Sequence, residues 1–424
     1  MPSLAAPAIP KILGVHGLAL ARVMLLGVLV TMLVSTSLAI GFEFASYLVF
    51  ACLPELRSRL GGILRHPLMA GFLPFAAVIA LATLYGPVSW HDAASALIGW
   101  RRLLLLPLCL AVFDDERSKR LVLKVLIVTC VLGAIVSFVG ILVQPPNLLT
   151  FGIVFHNYAT QGMTFSLAII ACAAALLRPQ AFAGDRMLGD RRIMAATLIV
   201  LAVDLVFVLT GRSGYLSIIT MAVVLVSTLA NGSWRVKASA GLGVLICVGL
   251  LLFSSQHVRE RFAEAIHEIA AVDDASAGTS LGQRVVMWRT TVRMIRDHPV
   301  FGVGTGGFQE GYRPYVRDAV GWQLFETGDP HNQFLKIQGE QGLIGLLAFL
   351  FFIVRVLICP GVAPYRQLAV AALIGWCATS LANSHFSTFV EGRLVFFWLG
   401  VMLAGAASGT EISYRVRRPP QERT

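Results

Sequence analysis

The sequence predicts an all-α polytopic membrane protein with about twelve transmembrane helices and one large helical loop outside the bilayer. Three observations predict it. Apolar runs of about 18–20 residues recur from end to end, each long enough to cross roughly 30 Å of hydrocarbon. The chain is 57% hydrophobic and 13% charged, with a mean hydropathy of +0.76, whereas an ordinary soluble domain carries about 25% charged residues. Only one hydrophilic segment, 255–333, is longer than a connecting loop. No strand-period alternation suggests a barrel.

The first two spans are expected near 18–36 and 38–54, followed by a loop with Arg57, Arg59 and Arg65. A third runs near 68–86. The mixed stretch 87–102, with Trp90, His91 and Trp100, reads as lying along the interface, and a short fourth run covers 103–113. Spans near 121–143, 159–177, 193–210, 215–230 and 238–254 follow, separated by loops that include Pro145-Pro146, Arg191-Arg192 and Gly211-Arg212-Ser213-Gly214. After the long hydrophilic segment come spans near 334–357, 368–384 and 394–408. Within that segment, 257–271 and 283–297 have helical periodicity, as in Val285, Trp288, Val292 and Ile295. The chain therefore divides into helices 1–254, a loop domain 255–333, helices 334–408 and a basic tail 409–424.

The formal net charge is +11. Most Lys and Arg occupy short loops between spans, as the positive-inside rule places them, so no nucleic-acid partner is expected. With twelve crossings the loops holding Arg57, Lys119-Arg120, Arg191-Arg192, Arg235, Arg366 and the tail share one side. That side reads as cytoplasmic, with both termini inside and segment 255–333 outside. The seven cysteines are scattered without a C-x-x-C, which implies neither a disulfide framework nor a zinc site. The first apolar run leads straight into a second, so no cleavable signal peptide is expected.

The chemistry-bearing residues gather on the outward side. His331 and Lys336 stand where the polar segment meets the next span, a costly place for polar side chains unless they bind or react with something. His331, beside Asn332, has an ordinary pKa near 6.5 and is a candidate base. Arg212 sits between two apolar runs. It either snorkels to head groups or offers its planar fork to an anion, with flanking glycines that admit close approach. Arg284, with Arg289 behind it, opens the 283–297 helix and either pairs with an acid such as Glu264 or Asp274 or binds the same anion. Asp204 is the acid clearly placed inside a span, and Glu340 is positioned to bond helix-terminal groups or orient Lys336. The run Gly302-Val303-Gly304-Thr305-Gly306-Gly307 lacks the Lys-Ser/Thr of a phosphate loop and reads as a tight turn. No carboxylate set has metal-site spacing, and no metal or cofactor is expected.

These residues fall in an order that resembles the O-antigen ligase/polymerase superfamily. Gly211-Arg212-Ser213-Gly214-Tyr215 is followed by Arg284-x3-Trp288, then His298-Pro299-Val300-Phe301-Gly302-Val303-Gly304-Thr305-Gly306, His331-Asn332 and Glu340-Gln341-Gly342-Leu343-Ile344-Gly345. The resemblance implies a GT-C-like, metal-independent glycosyltransferase of the bacterial inner membrane, working at the periplasmic face. Its donor would be a glycan on undecaprenyl diphosphate and its acceptor a sugar of lipid A–core. By motif correspondence Arg212 and Arg284 would hold the diphosphate and His331 would activate the acceptor hydroxyl. Arg289, Lys336 and Asn332 are further candidates for substrate binding, and Arg101, Arg289 and Lys336 for meeting core phosphates. Fixed arginines would stabilise charge on the departing diphosphate, as a divalent metal does elsewhere. Attack from the opposite face would invert the anomeric carbon. A polymerase or a protein O-oligosaccharyltransferase of the same superfamily is the nearest alternative. A lipid-linked glycan transporter, the reading from another class, predicts acids deep in several spans and repeat symmetry between halves.

Overall fold

The computed structural model of the chain describes residues 9–143, 152–270, 279–317 and 326–405. The basic tail, the Pro145-Pro146 turn and Asp273-Asp274 lie outside them. Among the described residues helix is the sole regular element. The helices are α1 (Ile9–Val34), α2 (Thr36–Cys52), α3 (Pro54–Ile63), α4 (Met69–Leu81), α5 (Trp90–Gly99), α6 (Leu105–Val112), α7 (Glu116–Val143), α8 (Tyr158–Leu177), α9 (Arg191–Phe207), α10 (Arg212–Leu229), α11 (Trp234–Ser254), α12 (Gln256–Ala270), α13 (Ser280–Asp297), α14 (Phe308–Tyr312), α15 (Gln333–Ile358), α16 (Tyr365–Thr379) and α17 (Phe389–Leu403).

Every apolar run expected to span is helical. Seven stretches among the described residues are long and apolar enough to cross a membrane, and the α2–α3 pair, bent by 96°, makes an eighth if read as one span. The remaining apolar runs form the shorter helices α4, α9, α16 and α17, of 13 to 17 residues. They contribute to the interior of the bundle. In α17 every residue from Val390 to Leu403 is buried, and its faces are covered by α6, α16 and α1.

The stretch 87–102 corrects the interfacial expectation. α5 continues through a 3₁₀ turn at Trp100–Leu104 into α6, giving a 23-residue span, Trp90–Val112. Arg101 and Arg102 interrupt the hydropathy, but the bundle absorbs both. Arg101 lies 3.4 Å from Glu43 on α2, and Arg102 donates to the main-chain oxygens of Gly99 and Thr388. Arg101 therefore does not stand outward as a core-phosphate contact. Glu43 is wholly buried and also accepts from Arg393 on α17, at 3.0 and 2.8 Å, and from the Tyr47 hydroxyl at 2.6 Å. Charge inside the bundle is thus neutralised at close range, as a low-dielectric interior requires.

Basic side chains tie one end of the bundle together. Arg22 reaches Asp115 and Val112 O, Arg59 reaches Asp114, Lys119 reaches Ala404 O, and Lys124 pairs with Asp185. The opposite end carries α12, α13 and α14, with a small core of Met294, Val303, Phe308, Tyr312 and Val316. Residues 299–305 dock this layer onto the spans. Thr305 donates from its N–H to Ala82 O (2.8 Å) and from its hydroxyl to Ile79 O (2.9 Å), and Gly304 N–H donates to Glu340 O at 2.7 Å. The glycine run thus spends these donors on protein carbonyls, as a turn does. A Cβ on Gly304, whose φ is +86°, would come within 2.6 Å of Tyr85 O. Pro299 and Val300 enter a break in α15 at Gly342 (φ 65°, ψ −163°), where Leu343 N–H donates to Pro299 O at 2.9 Å. Only a glycine fits there, since a Cβ would lie 2.2 Å from Val300 O.

Candidate active site

Two adjoining cavities open at the end that carries α12 and α13. The first, of about 540 Å³, is lined by Arg212, Arg261, Glu268 and Arg284 with Tyr158, Gly211 and Asn383. The second, of about 360 Å³, is lined by His156, Asp329, His331, His385 and Glu391 with Asn157 and Ser384. Ala159 and Asn383 belong to both walls.

Arg212 is the first residue of α10, where Gly211 makes the turn out of α9. The glycines of this motif serve helix packing as well as the cavity. Gly214 abuts Gly162 of α8, with an added Cβ only 3.0 Å from its Cα, and Gly211 presses on Tyr158. Ser213 receives a hydrogen bond from Asn383 at 3.1 Å, joining the arginine turn to the end of α16. Arg212 pairs with Glu268 (3.2 Å) and Glu264 (3.6 Å) of α12, and Arg261 pairs with Glu264 at 2.9 Å. Burial pushes the Glu268 carboxyl up, but Arg212 and the Leu281 N–H outweigh it and hold it below the usual carboxylate range. Of the two acids expected for Arg284, Asp274 lies outside the described residues. Glu264 goes to Arg212 and Arg261, and no hydrogen bond from Arg284 to a described residue is seen. Its guanidinium pKa is lowered by burial first and by the nearby Arg212 charge second, against Glu268. Among the described residues, three cations facing two carboxylates leave the first cavity with a surplus of positive charge.

His331 is presented by a loop fixed at several points. Asp329 accepts from the His331 N–H (2.8 Å), the Ser384 hydroxyl (2.6 Å) and Lys336 (3.1 Å). Trp288 of α13 donates to Pro330 O at 2.9 Å. His331 itself has a left-handed backbone (φ 51°), which an L-residue adopts only when its surroundings impose it. Burial pushes the Asp329 carboxyl up, but Lys336, Ser384 and the His331 N–H together hold it below the usual range.

The structure thus brings Arg212 and Arg284 into one cavity and His331 into its neighbour. Asn332, Lys336 and Arg289 line neither. Asn332 caps α15, accepting from Phe334 N–H and Leu335 N–H and donating to Leu381 O at 2.9 Å, and Lys336 is held by Asp329. Arg289 is exposed on α13. Glu340 is buried beside Gln341, whose amide donates to it at 3.1 Å, and Asp204 sits by Gln161, away from both cavities. Arg261, His156, His385 and Glu391 are site residues that sequence reasoning did not single out. The available signal was weak: a histidine in a short outward loop, and an arginine on the polar face of α12. Glu43 and Glu391, like Asp204, are acids buried in helices of the bundle.

Fold and site together define a multi-pass helical membrane protein with a cationic chamber and a histidine-lined chamber at one end. Residues 197–350 match the family model described as O-antigen ligase, a stretch that holds Arg212, Arg284 and His331. That segment is therefore similar to the O-antigen ligase family over about a third of the chain. A Haemophilus influenzae protein, described as uncharacterized, is 30% identical over 101 residues, which are 23% of this chain and 25% of that protein.

Proposed function

We propose that the protein is an O-antigen ligase, which moves a glycan from undecaprenyl diphosphate to a sugar of lipid A–core at the periplasmic face of a bacterial inner membrane. The observation that carries this reading is the shared wall of the two cavities. A surplus of fixed positive charge suits a diphosphate, and the histidine stands one chamber away, where an acceptor hydroxyl would enter.

In this reading Arg212 and Arg284 grip the diphosphate oxygens, and Arg261 adds charge beside them. The bond between the anomeric carbon and the diphosphate oxygen breaks, and its electron pair leaves with undecaprenyl diphosphate. The acceptor oxygen bonds to that carbon from the opposite face, and its proton passes to the His331 ring. The products are glycosylated lipid A–core, inverted at the anomeric carbon, and undecaprenyl diphosphate. Arginines already fixed in place need no reorganisation as charge develops, so they take the part a divalent metal plays elsewhere. Basic residues at the far end of the bundle support a cytoplasmic orientation for that end.

The test is transfer by the purified full-length protein, given lipid-linked glycan and lipid A–core. Glycan joined to lipid A–core with inverted linkage is the expected product. Glycan lengthened on its lipid carrier, with lipid A–core untouched, would instead identify a polymerase. Glycolipid crossing vesicles with no sugar joined would identify a transporter.

A further inference from the structure

We infer that His385 is a substrate-binding residue whose imidazole holds the reacting hydroxyl of the acceptor sugar in the second cavity, beside His331. The inference rests on the ligase reading above and deepens it on the acceptor side. His385 lies beyond the family-matched stretch, on the short connection between α16 and α17.

The ring is 3% exposed, and neither Nδ1 nor Nε2 has a hydrogen-bond partner. Among the described residues lining the two cavities, His385 alone carries a buried, unpartnered side-chain polar atom. Leaving such a group unpaired costs roughly 1–3 kcal/mol, so native interiors seldom do it without reason. Its neighbours have little to offer the ring. Asp329 is taken by the His331 N–H, Ser384 and Lys336, and Glu391 accepts from the Thr160 hydroxyl. The chain beside it is held in place. Phe386 N–H is bonded to Gln333 at 3.0 Å, and its side chain packs on Phe349 with centroids 5.0 Å apart. His385 therefore lines a chamber with no protein partner for either ring nitrogen.

Its surroundings define the ligand. The charges that act on it come from Glu391 and Asp329 on one hand and from Arg284 and His331 on the other, and Glu391, Asp329 and His331 line the same cavity. Burial, the largest influence, lowers its pKa and favours the neutral ring. A neutral imidazole presents one donor and one acceptor, which matches a sugar hydroxyl and serves a diphosphate poorly. The arginines already supply what a diphosphate needs.

His385→Gln and His385→Phe, each in the full-length protein, test the assignment by steady-state transfer and thermal unfolding. Loss of one buried hydrogen bond to the acceptor is expected to raise the acceptor KM about tenfold or more in His385→Phe. His385→Gln should fall between that variant and wild type, and the donor KM should be unchanged in both. The melting temperature of His385→Phe should equal or exceed that of wild type, since the ring has no protein hydrogen bond to lose. An unchanged acceptor KM, or a donor KM that rises in its place, overturns the assignment while the ligase reading stands. A large drop in melting temperature for His385→Phe overturns it too, because it marks a structural role. Absence of transfer by wild type overturns the ligase reading itself, and the acceptor role with it.

Discussion

Glu43 and His385 are both almost wholly buried, and α17 or its lead-in touches both, yet their environments are opposite. Glu43 is enclosed by Arg393, Arg101 and Tyr47. His385 has no partner on either nitrogen and opens onto a cavity. A buried charge that the chain itself neutralises holds helices in register. A buried polar group left unmatched is stability given up in the empty protein, and a ligand is the natural recipient. The same contrast separates Arg393, forked onto a carboxylate, from Arg284, which faces a chamber.

The sharpest way to break this comparison is at His331. His331→Ala should lower transfer by about 10²–10⁴-fold with donor binding retained, measured by turnover and by donor titration. Near-normal turnover would remove the base from the open side. Next in size, Arg284→Ala should cost about 10²–10³-fold in kcat/KM for donor. Arg212→Ala should match or exceed it, because Glu268 would then lose its ion-pair partner beside the diphosphate. Lys at either position should rescue only in part, since a point charge lacks the guanidinium fork. On the closed side, Glu43→Leu strands Arg393 and Arg101 together and should cost about 3–5 kcal/mol in an unfolding measurement. An unfolding loss as large in His385→Phe as in Glu43→Leu would erase the distinction.

The smallest effect concerns acid. Asp329 has its pKa lowered in the folded protein from an ordinary 3.8. The stability it contributes is therefore complete above that value and is lost as pH falls through the lower, folded one. Wild-type melting temperature should decline as the solution is acidified below about pH 4. Asp329→Asn should start lower at neutral pH and show a flatter decline, read by unfolding at a series of pH values.

Much of the fold was legible because helix spans and amphipathic loop helices are local patterns. α12 and α13 fall where three-and-four spacing put them, and each expected span is helical. Arg212, Arg284 and His331 were legible as an ordered set of motifs. The α5–α6 span was not, because Arg101 and Arg102 break the hydropathy, and the groups that accommodate them, Glu43 for Arg101 and Thr388 O for Arg102, come from elsewhere in the chain. His385 and Arg261 were hidden for a related reason. Their significance comes from what stands opposite them in space, and no spacing along the chain encodes that. Asn332 and Lys336 stood out by their polarity at a span boundary, which the fold uses in capping α15 and in pairing with Asp329.

The matched stretch 197–350 stops inside α15, whereas Asn383, His385 and Glu391 enter the chambers from later in the chain. A hybrid that exchanges only that stretch with a relative would inherit the relative's arginines and its base, but keep its host's far wall. If the far wall chooses the receiving sugar, such hybrids would take their donor preference from one parent and their acceptor preference from the other.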